Sequence, residues 1–159
     1  MDLSLFITKP GMEKLQRRIG ELMTERPEVI KTVAIAREFG DLSENAEYKA
    51  AKERQRAIDG EIDYLRRRSA SLKVIDTSVF PKDMVRFGSY CVAEDISNNE
   101  VICYHIVGAE ELNFSHEDGV LAVSVVSPIG KSLLGKKTDE IAVVRAPMGE
   151  RQLRIIEIK

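Results

Sequence analysis

The sequence predicts an α+β fold, a long antiparallel coiled-coil hairpin of two helices followed by a small antiparallel sheet with one short helix. Three observations lead there. Two apolar seams stepping alternately by three and four residues fill the first half of the 159-residue chain, the signature of helices packed along one another. β-branched runs separated by turn residues fill the second half. Between them, Asp-Thr-Ser-Val-Phe-Pro-Lys-Asp (76–83) breaks the helical pattern.

The first helix is expected from about Pro10 to Phe39, with a seam of Met12, Leu15, Ile19, Leu22, Arg26, Val29, Val33 and Ala36. Pro27 lies inside it, and because the seam keeps its register across that position, a kink is expected rather than an end. The second helix is expected from about Ser43 to Lys73, with a seam of Tyr48, Ala51, Gln55, Ile58, Ile62, Leu65, Ser69 and Leu72. Residue i of the first seam pairs with residue 84−i of the second through all eight layers, from Ala36 with Tyr48 out to Met12 with Leu72. Two helices folded back near residue 42 satisfy that pattern, with the tip at Gly40–Ser43. The expected division is residues 1–76 for the hairpin and 77–159 for a second domain. There, strands are expected at Met84–Phe87, Ser89–Ile96, Val101–Val107, Val120–Val126, Glu140–Ala146 and Arg151–Ile158, with turns at 97–100 and 147–150. Pro128–Leu134 reads as a short helix closed by Gly135.

Composition narrows the function. Apolar residues make 43% and charged residues 31% of the chain, so it folds rather than stays disordered. No apolar run of 18 residues is present, which excludes a transmembrane helix. The start lacks the basic and apolar regions of a signal peptide, and Cys91 and Cys103 read as reduced core thiols of a cytoplasmic protein. With the 97–100 turn centred on Asn98 and Asn99, Cys91 is expected opposite Ile106 and Cys103 opposite Glu94, so no bridge forms. His105 and His116 make no metal-ligand spacing with them. The net charge of −2 gives no bulk sign of a nucleic-acid binder.

The distinctive chemistry is at the tip, Arg37-Glu-Phe-Gly-Asp-Leu-Ser-Glu-Asn-Ala-Glu-Tyr48. Asp41 and Glu44 lie three apart at a helix start. Such a carboxylate pair suits Mg²⁺, which takes one or two carboxylates and keeps waters or phosphate oxygens. The same pair is also a capping box, Asp41 as N-cap and Glu44 as its reciprocal partner. A cap uses one oxygen, so both readings stand together. Behind the tip, Arg37, Lys49, Lys52 and Arg56 form a cationic flank, able to hold a phosphate backbone or to pair with Glu38, Glu47 and Glu53 on a solvated face.

The segments 26–29, 36–48 and 50–55 resemble the Gre family of bacterial transcript-cleavage factors, GreA-type members above all. The likeness continues in Gly11–Leu15, Lys73–Asp76, Phe87–Ser89, Tyr104–Gly108, Ser127–Ile129 and Leu134–Lys136. The resemblance implies that the second domain is FKBP-like and docks on bacterial RNA polymerase through Ser127 and Pro128. It implies that the hairpin enters the secondary channel, with Asp41 and Glu44 as the catalytic and metal-binding acids and Ser43 and Asn45 supporting the tip. These acids would share Mg²⁺ with the polymerase, which then cuts the 3′ end of backtracked RNA. Arg37, Lys49, Lys52 and Arg56 would contact RNA or polymerase. The factor would act as a monomer, bind Mg²⁺ weakly by itself, and be no enzyme alone. The sequence departs from the family at Val126, where Asn or Asp is usual, and at Gly130-Lys131-Ser132, where Ala-Arg-Ala is usual. The alternative is a channel-binding regulator that inhibits polymerase without promoting cleavage, which the intact Asp41/Glu44 pair disfavours. A prolyl isomerase is disfavoured because no aromatic-lined pocket is apparent among the five Phe and four Tyr.

Overall fold

A computed structural model describes residues 2–40 and 45–159. The chain forms two compact units, one of Glu13–Ser71 and one of Met1–Met12 with Leu72–Lys159. The hairpin unit thus ends before the expected 76/77 division, and the N-terminal segment is counted with the sheet. The reason is a pair of strands that sequence reading missed: β1 (Phe6–Thr8) pairs in parallel with β2 (Lys73–Ile75). Each has three residues, too few for a visible alternation.

The helical unit contains α1 (Lys9–Arg37) and α2 (Ala46–Ser71). At 1.5 Å per residue, the 29 residues of α1 span roughly 44 Å. The helix runs unbroken through Pro27. Every buried residue of this unit among those described lies on an expected seam: Leu15, Ile19, Leu22, Val33 and Ala36 on α1, and Ala51, Ile58, Ile62 and Leu65 on α2. Arg26 is the exposed seam position, and its Nε donates to Asp59 Oδ1 at 2.6 Å. Along the sides of the seam, Arg18 donates two hydrogen bonds to Glu61 (2.9 and 3.1 Å) and Arg54 two to Glu25 (2.8 and 2.7 Å). These forked pairs cross from helix to helix and fix the stagger that apolar contacts alone leave loose.

In the other unit, β3 (Tyr90–Asp95), β4 (Val101–Val107), β5 (Val120–Ser124), β6 (Ile141–Ala146) and β7 (Gly149–Ile158) form a five-stranded sheet in the order β5-β4-β3-β7-β6. It is antiparallel except that β5 runs parallel to β4. The return from β4 passes through a 3₁₀ segment at Glu110–Phe114, which reverses the expected direction of that strand. One face covers a core that includes Tyr104, Ile106, Val125, Leu133, Leu153 and Ile155, closed by α3 (Pro128–Leu133).

The expected strand at Met84–Phe87 is absent. Val85 and Phe87 are buried as the alternation requires. Their neighbourhood is tied by a turn and by isolated long-range bonds instead: Ser89 N–H donates to the Arg86 carbonyl at 3.0 Å, while Val85 N–H donates to the Lys136 carbonyl and the Val85 carbonyl accepts from Gly135 N–H, both at 2.8 Å. The β3–β4 register also differs from expectation. Cys91 faces Tyr104, and Cys103 faces Val92. The turn is centred one residue earlier than expected, because Asp95 N–H donates to the Glu100 carbonyl and the Asp95 carbonyl accepts from Asn99 N–H, both at 2.8 Å. The Asp95 carboxylate locks that turn by accepting from the Ser97 hydroxyl (2.7 Å), Ser97 N–H (3.0 Å) and Arg151 Nε (3.1 Å). The Ser97 bonds, with help from Arg151, hold the Asp95 carboxyl below the usual carboxylate range. The two cysteines are free and lie on opposite faces of the sheet.

A buried carboxylate fastens the N-terminal segment. Glu111 is 2% exposed. It accepts from Thr8 N–H (3.0 Å), Thr8 Oγ1 (2.5 Å) and Gly108 N–H (2.8 Å). Three donors around one carboxylate offset the cost of burying it.

Candidate functional site

The tip of the hairpin is framed by the last turn of α1 and the first turn of α2. Past Arg37 the backbone tightens, with Glu38 N–H donating to the Ile35 carbonyl and Phe39 N–H to the Ala36 carbonyl, both at 3.1 Å. Gly40 follows at φ +117°, a left-handed backbone that favours glycine and ends the helix. On the other side Asn45 caps α2: its Oδ1 accepts from Tyr48 N–H at 3.0 Å. Its amide nitrogen donates to the Ala36 carbonyl on α1 at 2.7 Å. One side chain therefore satisfies an orphan donor of the second helix and a terminal acceptor of the first. Only an amide can do both, because a carboxylate or hydroxyl at this place lacks either the donor or the reach.

Asp41, Ser43 and Glu44 lie outside the described residues. What the neighbouring residues do show is that α2 begins at Ala46 and takes its cap from Asn45. The cap that the sequence offered to Asp41 is already supplied. Sequence reading placed the helix start three residues early because Ser43 and Asp41 are themselves good capping residues.

Arg37 lies over the ring of Tyr48, with its guanidinium carbon 5.8 Å from the ring centroid, a cation–π distance. Lys49, Lys52 and Arg56 follow on α2, Lys52 half-buried and the other two exposed. Among the described residues these three make no ion pair. Phe39, which sequence reading did not single out, is 71% exposed two residues past the end of α1. Its signal in the sequence is only that it falls off the seam.

Ser127 and Pro128 start α3 in the sheet unit. The Ser127 hydroxyl accepts from Gly130 N–H at 3.1 Å and donates to the Ser124 carbonyl at 2.7 Å, while Pro128 takes the first helical turn and is exposed. A Cβ on Gly130 would lie 2.0 Å from the Ser124 carbonyl oxygen. Glycine at this position therefore lets α3 sit directly on the backbone at the end of β5. Pro128, Lys131, Ser132, Lys136, Ile141, Val143 and Arg145 line a shallow cavity of about 450 Å³. Elsewhere in this unit Phe80, Phe87 and Tyr90 contribute to a cavity of about 420 Å³, so an aromatic-lined hollow does exist. Phe87 is itself buried in the core there, and the Tyr90 hydroxyl donates to Glu117 at 2.5 Å.

No helix among the described residues is long and apolar enough to cross a membrane. Among the same residues, no cluster of three or more His, Cys, Asp or Glu could hold a metal ion.

Comparison with known proteins places these features. Residues 5–74 match the family model described as the N-terminal part of the GreA/GreB transcription elongation factors, and residues 80–159 match the one for their C-terminal part. The transcription elongation factor GreA of Pelobacter propionicus is 42% identical over 160 residues, covering 100% of this chain and 99% of the relative. GreA of Trichlorobacter lovleyi is 41% identical with the same coverage. Among solved structures, the GreA factor homolog 1 (Gfh1) of Thermus thermophilus matches at 24% identity, with 98% of each chain covered and a TM-score of 0.43. The helical hairpin with its capped tip and the sheet unit that follows thus correspond to the two matched family regions, and the chain belongs to the GreA/GreB family of transcription elongation factors.

Proposed function

We propose that this elongation factor acts in the cytoplasm on bacterial RNA polymerase, entering the secondary channel with its hairpin and stimulating cleavage of backtracked RNA. The observation that carries the reading is the tip. Asn45 joins the ends of α1 and α2 and performs the capping, so Asp41 and Glu44 are not required as helix caps. Their donor set fits a shared hard cation rather than a site of its own: two carboxylates are too few ligands for Mg²⁺, which wants six oxygens. When bound between these acids, polymerase carboxylates and RNA phosphate, Mg²⁺ would supply the Lewis-acid chemistry that phosphodiester hydrolysis needs. The chain's own task is to deliver negative charge on a fixed support. The factor is then an activator of the polymerase and not an enzyme alone.

The remaining surfaces support this assignment. Lys49, Lys52 and Arg56, unpaired among the described residues, offer phosphate contacts leading to the tip. In the sheet unit, exposed Ile141 and Val143 lie among Lys131, Lys136 and Arg145 beside Pro128. An apolar centre rimmed by cations suits docking on an acidic protein surface. Changing Lys49, Lys52 and Arg56 to Gln should raise the protein concentration needed for half-maximal cleavage. It should also flatten the salt dependence by about one unit of slope for each phosphate that is no longer neutralised. An unchanged slope would return these residues to a solvated face.

The deciding experiment is cleavage in a stalled, backtracked elongation complex with and without the protein. The reading expects release of a short 3′-terminal RNA fragment and resumed elongation. Inhibited elongation with no fragment released would establish the alternative, a channel-binding regulator that does not promote cleavage.

A further inference from the structure

We infer that Phe39 is a stacking platform for an unpaired RNA base at the hairpin tip. This rests on the reading above, that the tip meets RNA in the polymerase, and adds a residue that recognises the nucleic acid itself. Burial separates Phe39 from the other phenylalanines. Phe6 and Phe87 are buried and stacked edge to face at 5.6 Å, and Phe80 and Phe114 are half-buried. Phe39 alone presents most of its surface, 71%, to solvent. It makes no contribution to the seam that would account for an aromatic there, since all buried side chains of that unit among the described residues lie on the seam positions.

Its support is stiff. The backbone N–H of Phe39 donates to the Ala36 carbonyl, and the Asn45 amide binds the same oxygen from α2. The backbone that carries the ring is thus tied to both helices, which limits the ordering that binding must supply to the side chain. It stands two residues before Asp41 in the chain. Its charged neighbours in the chain are of both signs: Glu38, Asp41, Glu44 and Glu47 are the acids of the tip sequence, Arg37 is two residues away, and Lys49, Lys52 and Arg56 follow along α2 as a cationic flank leading to it. Cations that track a phosphate backbone, combined with an exposed aromatic face, are the usual means of holding single-stranded nucleic acid without reading its sequence. An apolar protein pocket would accept Phe39 too, but would not call for the cations, unpaired among the described residues, that follow along α2.

The test is the cleavage rate at saturating protein in backtracked complexes whose extruded RNA carries either purines or pyrimidines. Phe39→Ala, Phe39→Leu and Phe39→Trp are compared with the unaltered protein and with Asp41→Asn. Stacking predicts that Phe39→Ala and Phe39→Leu both lose roughly 5-fold or more, the low end of what one base–aromatic stack contributes. Phe39→Trp should retain activity, and the loss should be larger for purines. Thermal unfolding should be unchanged, because the ring is exposed. Full activity in Phe39→Leu, or a loss independent of base, would overturn the inference in favour of an apolar protein contact, and full activity in Phe39→Ala would overturn it outright. Failure of the underlying reading looks different: the unaltered protein would then give no cleavage, or Asp41→Asn would leave it intact.

Discussion

The helical unit and the sheet unit are held together in opposite ways. The hairpin has a single seam one residue deep, with nine buried side chains among its described residues, and secures its register with ion pairs at the sides. Its layers repeat, each resembling the next. The sheet unit has a continuous core from several strands and α3, and its fastening points are single and non-local. Glu111 reaches Thr8, more than a hundred positions away in the chain. A repeating seam tolerates local loss and keeps a long element straight, whereas a core with unique anchors fixes one arrangement of loops. The tip borrows the second strategy at the end of the first, since Asn45 is a unique anchor closing a repetitive structure.

The largest stability effect should test the seam. Leu22 is fully buried, and Leu22→Ala should cost ~2–5 kcal/mol. Hydrogen exchange should show the loss in α1 and α2 amides while the β3–β7 sheet stays protected. A loss of protection spread equally over both units would break the contrast. In the sheet unit the corresponding change is Glu111→Ala. It strands the Thr8 and Gly108 N–H groups, at ~1–3 kcal/mol for a buried donor left unmade, and should release the β1–β2 pair before the five-stranded sheet. If β1 amides exchange no faster in that variant, the carboxylate is not the fastener. Asn45→Ala should cost ~1–2 kcal/mol, at the upper end for a cap because it frees the Ala36 carbonyl as well. Asn45→Asp should recover only part of this, since it keeps the acceptor and loses the donor. Full recovery would mean that the bond to α1 contributes nothing.

These differences explain what the sequence could and could not reveal. The hairpin was legible because its information is periodic: both seams follow from alternate steps of three and four, and the buried residues fall on them. Its end was less legible, because Asp41, Ser43 and Asn45 are all competent caps and only the Ala36 carbonyl, nine residues back from Asn45, chooses among them. The five strands after residue 89 were visible as β-branched runs. Their register was not, because Asp95 shifts the turn through bonds to Ser97 and Arg151 that have no local pattern. β1 and β2 carry three residues each and pair across the whole hairpin, so no window of sequence contains the signal for both. The tip acids were legible as chemistry, and family membership strengthens that reading without testing it.

The proposed function assigns charge delivery to the hairpin tip and positioning to the rest of the chain, and that division of labour is open to direct measurement. The most direct test is the double variant Asp41→Asn/Glu44→Gln in a backtracked elongation complex, alone and mixed with the unaltered protein. Both substitutions keep side-chain shape and remove the charge that Mg²⁺ requires. The expected result is a folded protein that releases no RNA fragment and that, in excess, suppresses cleavage by the unaltered factor through competition for the same channel. Cleavage by the double variant at the unaltered rate would contradict that division and reduce the two acids to features of the turn.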